Sequence, residues 1–253
     1  MPDTQLHRTT ATFGTLPVFI TAISTILGAI LFLRFGYAVG HLGFIGVIGI
    51  IFLGHMVTIP TALAVAEIAT NQKVQGGGAY YIISRSFGMN IGSAIGITLY
   101  LSQAISVAFY VIAFSEAFDP LIRYLHYEIN TPLNDKRWIG LASMTLLSLI
   151  ILSRGAKIGM KALYFVVALL FTSLLFFFLG RPEEADKPFI LNAQIQNPDN
   201  FFFVFTIIFP AFTGLVAGLG LSGDLRDPSK SIPRGTLWAT IAGFVVYILV
   251  AYK

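Results

Sequence analysis

The sequence predicts an all-α membrane protein, a broken-helix, inverted-repeat transporter with about seven transmembrane helices in the chain. Three observations predict it. Only 11% of the 253 residues are charged and 56% are hydrophobic, against roughly 25% charged in a soluble domain. Seven windows carry no Asp, Glu, Lys or Arg: 9–33, 35–66, 86–115, 138–153, 162–180, 200–223 and 235–252. A bilayer core of about 30 Å takes about 20 apolar residues as a helix. Finally, the first and sixth windows hold helix-breaking residues in mid-span, and paired interruptions point to an inverted-repeat transporter.

Read in order, residues 1–12 are a short polar tail on the cytoplasmic side. Residues 13–180 make a first five-helix repeat, with spans at 13–33, 43–68, 87–117, 137–153 and 159–180. The fourth window is the shortest, and Trp138 at its edge suits the membrane interface. Residues 181–199 are an extracellular loop, and 200–253 begin a second repeat with spans at 200–222 and 235–252. A complete second repeat needs five spans, so the chain reads as the first part of a longer transporter. Nine Lys and Arg fall on the cytoplasmic side of this topology and seven outside, a bias that places the N-terminus inside.

Several classes are excluded. A soluble helical core requires polar stripes that Leu163–Leu179 and Trp238–Val250 lack. The polar start, and a first apolar window that runs on without a typical cleavage site, do not resemble a secretory signal. The net charge of +4 is not clustered as a nucleic-acid interface requires. There is no Cys, hence no disulfide or thiolate chemistry. No Ser–His–Asp or metal-ligand cluster stands out, so no enzyme activity and no cofactor are expected.

The first span contains Thr21-Ala22-Ile23-Ser24-Thr25-Ile26-Leu27-Gly28, and the sixth contains Phe209-Pro210-Ala211-Phe212-Thr213-Gly214. Pro removes a backbone donor and clashes with the preceding turn. Gly loosens the helix further. Backbone freed at that depth must face protein or a cavity. A simple proline kink without a ligand is the competing reading. Gly88, Gly92 and Gly96 recur every four residues and suit close helix packing.

Three segments carry a family resemblance: Gly28 to Arg34; Ala66 to Asn71 with Gly76 to Ser86; and Phe209 to Gly214 with Ser222 to Leu225, Asp227-Pro228 and Ile232 to Thr236. On these the chain resembles the cation–chloride cotransporters of the amino acid–polyamine–organocation superfamily. The glycines at 76–78 lack the following Gly-Lys-Ser/Thr of a phosphate loop.

The resemblance implies K⁺ and Cl⁻ held at the breaks of spans one and six. The potassium positions correspond to Thr25, Ile26, Tyr110, Pro210 and Thr213. Oxygen dipoles there would replace an ion's water. No carboxylate falls in either break, which disfavours a divalent metal. The chloride positions correspond to backbone amides of Gly28, Ala29 and Ile30, and of Gly214, Leu215 and Val216. Amides opening a half-helix aim a positive dipole end at an anion. Part of a sodium site corresponds to Ser24 and Leu27, its other half lying on an eighth span, so sodium dependence stays open. Thr25 and Leu27 stand where some animal members carry an Asn or Tyr and a Trp, and the short start suits a prokaryotic relative. The implied partners are the lipid bilayer and inorganic ions, no nucleic acid, and a second copy through parts outside this chain. The implied location is the cell membrane.

Single polar residues carry two readings each. Glu67 is an end-of-helix group or a proton carrier. His55 is a neutral hydrogen-bonded histidine or a functional intramembrane group. Arg34 snorkels to the outer interface or serves an outer gate. Asp224 and Asp227 cap and pair locally, or pair with the loop Lys73–Arg85 as an inner gate. At the level of function, cation–chloride symport competes with amino-acid permeation on the same scaffold, or with an inactive fragment of either.

Overall fold

The computed structural model describes residues 13–71, 76–129, 135–154, 156–181, 191–193 and 195–253. The tail 1–12, Lys73, Glu183, Glu184, Asp186 and Lys187 lie outside the described residues. Helices dominate: α1 (Thr15–Ile26), α2 (Ala29–Leu33), α3 (Phe35–Asn71), α4 (Gly78–Phe87), α5 (Met89–Ala117), α6 (Asp119–Ile129), α7 (Arg137–Arg154), α8 (Ala156–Leu179), α9 (Phe201–Ile208) and α10 (Pro228–Tyr252). Two 3₁₀ segments, Phe209–Phe212 and Leu215–Asp224, lie between α9 and α10. The chain divides into two compact units, one of residues 1–93 with 166–253 and one of residues 94–165.

Six described segments are long and apolar enough to cross a membrane: Thr15–Leu33, Phe35–Asn71, Met89–Ala117, Gly159–Leu179, Phe201–Asp224 and Pro228–Tyr252. The expected fourth span is a continuous helix, α7, of 18 residues, or about 27 Å. Its apolar stretch, Arg137–Ile150, is shorter than the other six, so seven spans require α7 to cross at the minimum length. The second span is longer than its charge-free window, reaching Asn71, with a break at Gly43. The seventh starts seven residues ahead of its window, at Pro228, because Pro is pre-shaped for a first helical turn.

In the first unit α1 is enclosed. Val18, Ala22, Ile23 and Ile26 are almost fully buried, on one face by their helical spacing. α10 runs parallel to α1 and meets it through glycine: a Cβ on Gly235 would stand 2.6 Å from Val18, and one on Gly243 2.6 Å from Ile26. Both helices advance eight residues between these contacts, and small residues of this kind let apolar helices approach in lipid. α3 lies antiparallel on α10, with ring pairs Phe52–Phe244 at 5.5 Å and Phe44–Tyr252 at 6.4 Å.

The run Gly76-Gly77-Gly78 opens α4 and rests on the end of the second 3₁₀ segment. A Cβ on Gly78, at φ +56°, would stand 3.1 Å from the Leu219 carbonyl oxygen, and one on Gly223 3.1 Å from Gly76 Cα. The Gly78 amide donates to Ser222 Oγ at 3.3 Å. Gly92 packs closely on Ser84, as its spacing suggests, whereas Gly88 takes φ +83° and closes α4.

The second unit brings α7 onto α5, where a Cβ on Gly140 would stand 3.0 Å from Ser115 Oγ. Lys136 pairs with Asp119 at 3.4 Å beside the entry to α7. Trp138 is exposed.

Candidate functional site

Span one is broken where the sequence places Leu27-Gly28. Leu27 leaves the helix at φ −85°, ψ 45°, and Gly28 is extended at ψ −158° before α2 begins. Upstream, Thr21 Oγ1 donates to the Pro17 carbonyl, and Ser24 Oγ and Thr25 Oγ1 both donate to that of Thr21, all within 2.9 Å. Such back-bonding satisfies hydroxyls in an apolar span and bends the helix. The break leaves the Ile26 carbonyl without its helical partner four residues on. At the other end, the first described helical bond of the new segment runs from Leu31 N–H to the Gly28 carbonyl at 3.2 Å. The amides of Gly28, Ala29 and Ile30 precede it.

Span six breaks in a parallel way. After Pro210, Thr213 is extended at ψ −178° and Gly214 turns at φ +93°. Thr213 Oγ1 donates to the Pro210 carbonyl at 2.7 Å. The next segment opens with Ala217 N–H on the Gly214 carbonyl at 2.9 Å, so the amides of Gly214, Leu215 and Val216 precede the first bond there as well. Leu215 is buried, while Thr213 and Val216 are exposed in the described chain.

The two breaks touch. A Cβ on Gly214 would stand 2.4 Å from Thr25 Cγ2 and 2.9 Å from Thr25 Cβ. Thr25 is thereby brought against the turn at Gly214. Carbonyls at the C-terminal ends of the two half-helices carry the negative end of the helix dipole, and the following amides the positive end. Each break therefore sets freed carbonyls ahead of freed amides without any formal charge.

One residue at this junction escaped the sequence reading. Tyr247 of α10 is fully buried, and its hydroxyl reaches the Ile26 carbonyl at 2.7 Å and the Ala211 carbonyl at 3.2 Å. It joins the two breaks directly. Its ring is seated between Phe35 at 5.2 Å and Phe212 at 5.0 Å. The available signal was a hydroxyl-bearing ring in the middle of a charge-free window, since a buried Tyr needs a partner for its polar tip.

The remaining predicted positions are spread more widely. Tyr110 lies on α5 in the second unit, 48% exposed there, with its ring 5.8 Å from Phe109. Ser24 and Leu27 lie on span one, Leu27 fully buried. His55 is buried with Nδ1 2.8 Å from the Ile51 carbonyl oxygen and its ring between Phe212 and Phe244, the hydrogen-bonded packing arrangement. Glu67 is exposed near the end of α3, where its carbonyl accepts from Thr70 and Asn71. Arg34 is exposed between α2 and α3. Asp227 stands at the N-cap position of α10 without a side-chain capping bond, and its carboxylate takes Ser229 Oγ at 2.7 Å and Lys230 Nζ at 3.3 Å, which is local pairing. Its carboxyl is held below the usual carboxylate range, first by the Ser229 hydrogen bond and then by Lys230. Asp224 accepts Phe13 N–H through its carbonyl at 3.1 Å. Among the described residues no group of His, Asp and Glu is placed to hold a metal ion.

Residues 17–253 match the amino acid permease family. The chain is 39% identical over 251 residues to solute carrier family 12 member 1 of Mus musculus, covering 92% of this chain and 23% of that protein. It is 37% identical over 248 residues to solute carrier family 12 member 2 of Homo sapiens, covering 92% of this chain and 20% of that one. It is 34% identical over 253 residues to the bumetanide-sensitive sodium-(potassium)-chloride cotransporter of Manduca sexta, covering 92% and 24%. The chain therefore spans less than a quarter of each of these relatives. The chain belongs to the amino acid permease family, with cation–chloride cotransporters among its relatives. With six described segments long and apolar enough to cross a bilayer, it is a multi-pass membrane protein.

Proposed function

We propose that this member of the amino acid permease family is part of a secondary active transporter that carries K⁺ together with Cl⁻, with Na⁺ as a further candidate ion. The observation that carries the reading is the direct contact of the two breaks, Thr25 against Gly214. That contact brings the end of the first half-helix of span one against the glycine that opens the second segment of span six, which supports a paired cation and anion there. In this reading K⁺ is held by the carbonyls of Thr25, Ile26 and Pro210 with the Thr213 hydroxyl, and Tyr110 is a further proposed ligand. Chloride is held by the amides of Gly28, Ala29 and Ile30 and by those of Gly214, Leu215 and Val216. Ser24 and Leu27 supply part of a sodium site. The Manduca sexta relative, named a sodium-(potassium)-chloride cotransporter, supports the same ion set.

The proposed setting is the cell membrane with the N-terminus cytoplasmic, five spans in residues 13–180 forming one repeat, and residues 200–253 opening the next. A homodimer would form through parts outside this chain. Full-length protein in vesicles should take up rubidium only when chloride is present. Chloride-independent uptake would sink the symport reading.

The family match favours a second reading. Amides at a helix break can hold a substrate carboxylate as well as chloride, and an amino acid permease would use them so. Amino-acid uptake that competes with chloride would favour permeation over symport.

A further inference from the structure

We propose that Tyr247 is a positioning residue that holds the Ile26 carbonyl in the ion-free state and releases it to the cation by passing its hydrogen bond to the Ala211 carbonyl. The inference rests on the reading above, in which the Ile26 carbonyl is a cation ligand. A phenol has one proton to donate, and two carbonyl oxygens face it, Ile26 at 2.7 Å and Ala211 at 3.2 Å. The shorter contact is to the carbonyl that the break in α1 leaves without a helical partner. While the proton points there, it satisfies an oxygen that would otherwise be stranded in an apolar interior, a costly state.

A cation arriving at the same oxygen needs its lone pairs and repels the O–H dipole. The ring has no room to leave, since it is fully buried between Phe35 and Phe212. Rotation about the C–O bond is free of that restraint. It turns the proton towards the Ala211 carbonyl and takes the O–H dipole off the Ile26 oxygen. The second acceptor keeps the hydroxyl satisfied in both states, so the exchange strands no polar group. Because Ile26 belongs to span one and Ala211 to span six, each state ties the junction differently: the ion-free state fastens α10 to span one, and the ion-bound state fastens it to span six.

Two other roles make opposite predictions. A tyrosine that only coordinates the cation would weaken binding when its oxygen is lost. A tyrosine that only packs would leave binding unchanged. Under the proposal, Tyr247→Phe keeps the ring and removes the competing proton. The half-saturation concentration for rubidium in chloride-dependent uptake by full-length protein should fall roughly two- to five-fold, because the bond lost from the ion-free state, to Ile26 at 2.7 Å, is shorter than the one lost from the ion-bound state, to Ala211 at 3.2 Å. The unfolding temperature of the variant should drop further below that of the wild type without rubidium than with it. An unchanged or raised half-saturation concentration overturns the proposal while leaving the symport reading intact. Absence of chloride-dependent rubidium uptake by the wild type overturns the reading and the proposal together. If Tyr247→Phe fails to fold, wild-type protein supplies the test. Its infrared difference spectrum between rubidium chloride and choline chloride should contain a shifted tyrosine C–O band, and a spectrum without one overturns the proposal.

Discussion

Thr25 and Gly214 are in van der Waals contact across two broken helices, and no side chain fits between them. A Cβ at position 214 would stand 2.4 Å from Thr25 Cγ2, and the backbone there has φ +93°. Both facts demand glycine. Gly214→Ala must either strain the turn or push span six away from span one. We expect a loss of roughly 2–3 kcal/mol of stability from strain and overpacking together. Thermal unfolding of purified protein in detergent checks it, and an unchanged midpoint would show that the breaks are not in contact.

Thr213→Val keeps the shape of the side chain and removes its oxygen. The hydroxyl donates to the Pro210 carbonyl at 2.7 Å, leaving its lone pairs for a cation. Under the symport proposal the half-saturation concentration for rubidium should rise roughly ten-fold, the scale of one hydrogen-bond-like contact to a charged group. Chloride dependence should persist. An unchanged rubidium requirement would remove Thr213 from the cation site.

Gly76 and Gly223 bring two backbones together, with a Cβ on Gly223 placed 3.1 Å from Gly76 Cα. The chain has no native Cys, so Gly76→Cys with Gly223→Cys would introduce its sole thiol pair. Mild oxidation should join the two, read as fragments that stay linked after proteolysis between them until reductant is added. Failure to cross-link in folded protein would contradict the packing of the glycine run on the end of span six.

Asp227 offers a pH test. Its pKa is lowered by the Ser229 hydrogen bond and by Lys230. A carboxylate with a folded pKa below its unfolded value of about 4 contributes stability above that value. The contribution is lost as pH falls through the lowered folded pKa. Asp227→Asn should therefore narrow the gap between thermal stability at neutral pH and at about pH 3. An identical pH profile in the variant would show that the α10 cap carries no such linkage.

Much of this architecture was legible because lipid imposes it. A charge-free window long enough to cross a bilayer has few alternatives to a helix, and six long apolar helical segments lie over such windows. The breaks were legible for a local reason: Pro210 and Gly214 act on their own backbone, as does Gly28. The fourth span was the least defined by its window, and α7 is correspondingly the shortest in apolar length. Gly88 shows the opposite failure. Its four-residue spacing with Gly92 reads as packing, yet its φ of +83° makes it a helix terminator, a choice that spacing does not encode.

The amino-acid order alone therefore determined which segments are helical, where two of them break, and which backbone groups are freed by breaking. Those outcomes depend on local backbone sterics and on the solvent each segment meets. It did not determine what the freed groups face. That Thr25 meets Gly214, and that a tyrosine more than 200 residues from Ile26 supplies the proton its carbonyl lacks, depends on α10 lying parallel to α1 at glycine-limited distance. Such contacts are set by three-dimensional packing between distant segments, and no local pattern in either segment records the other.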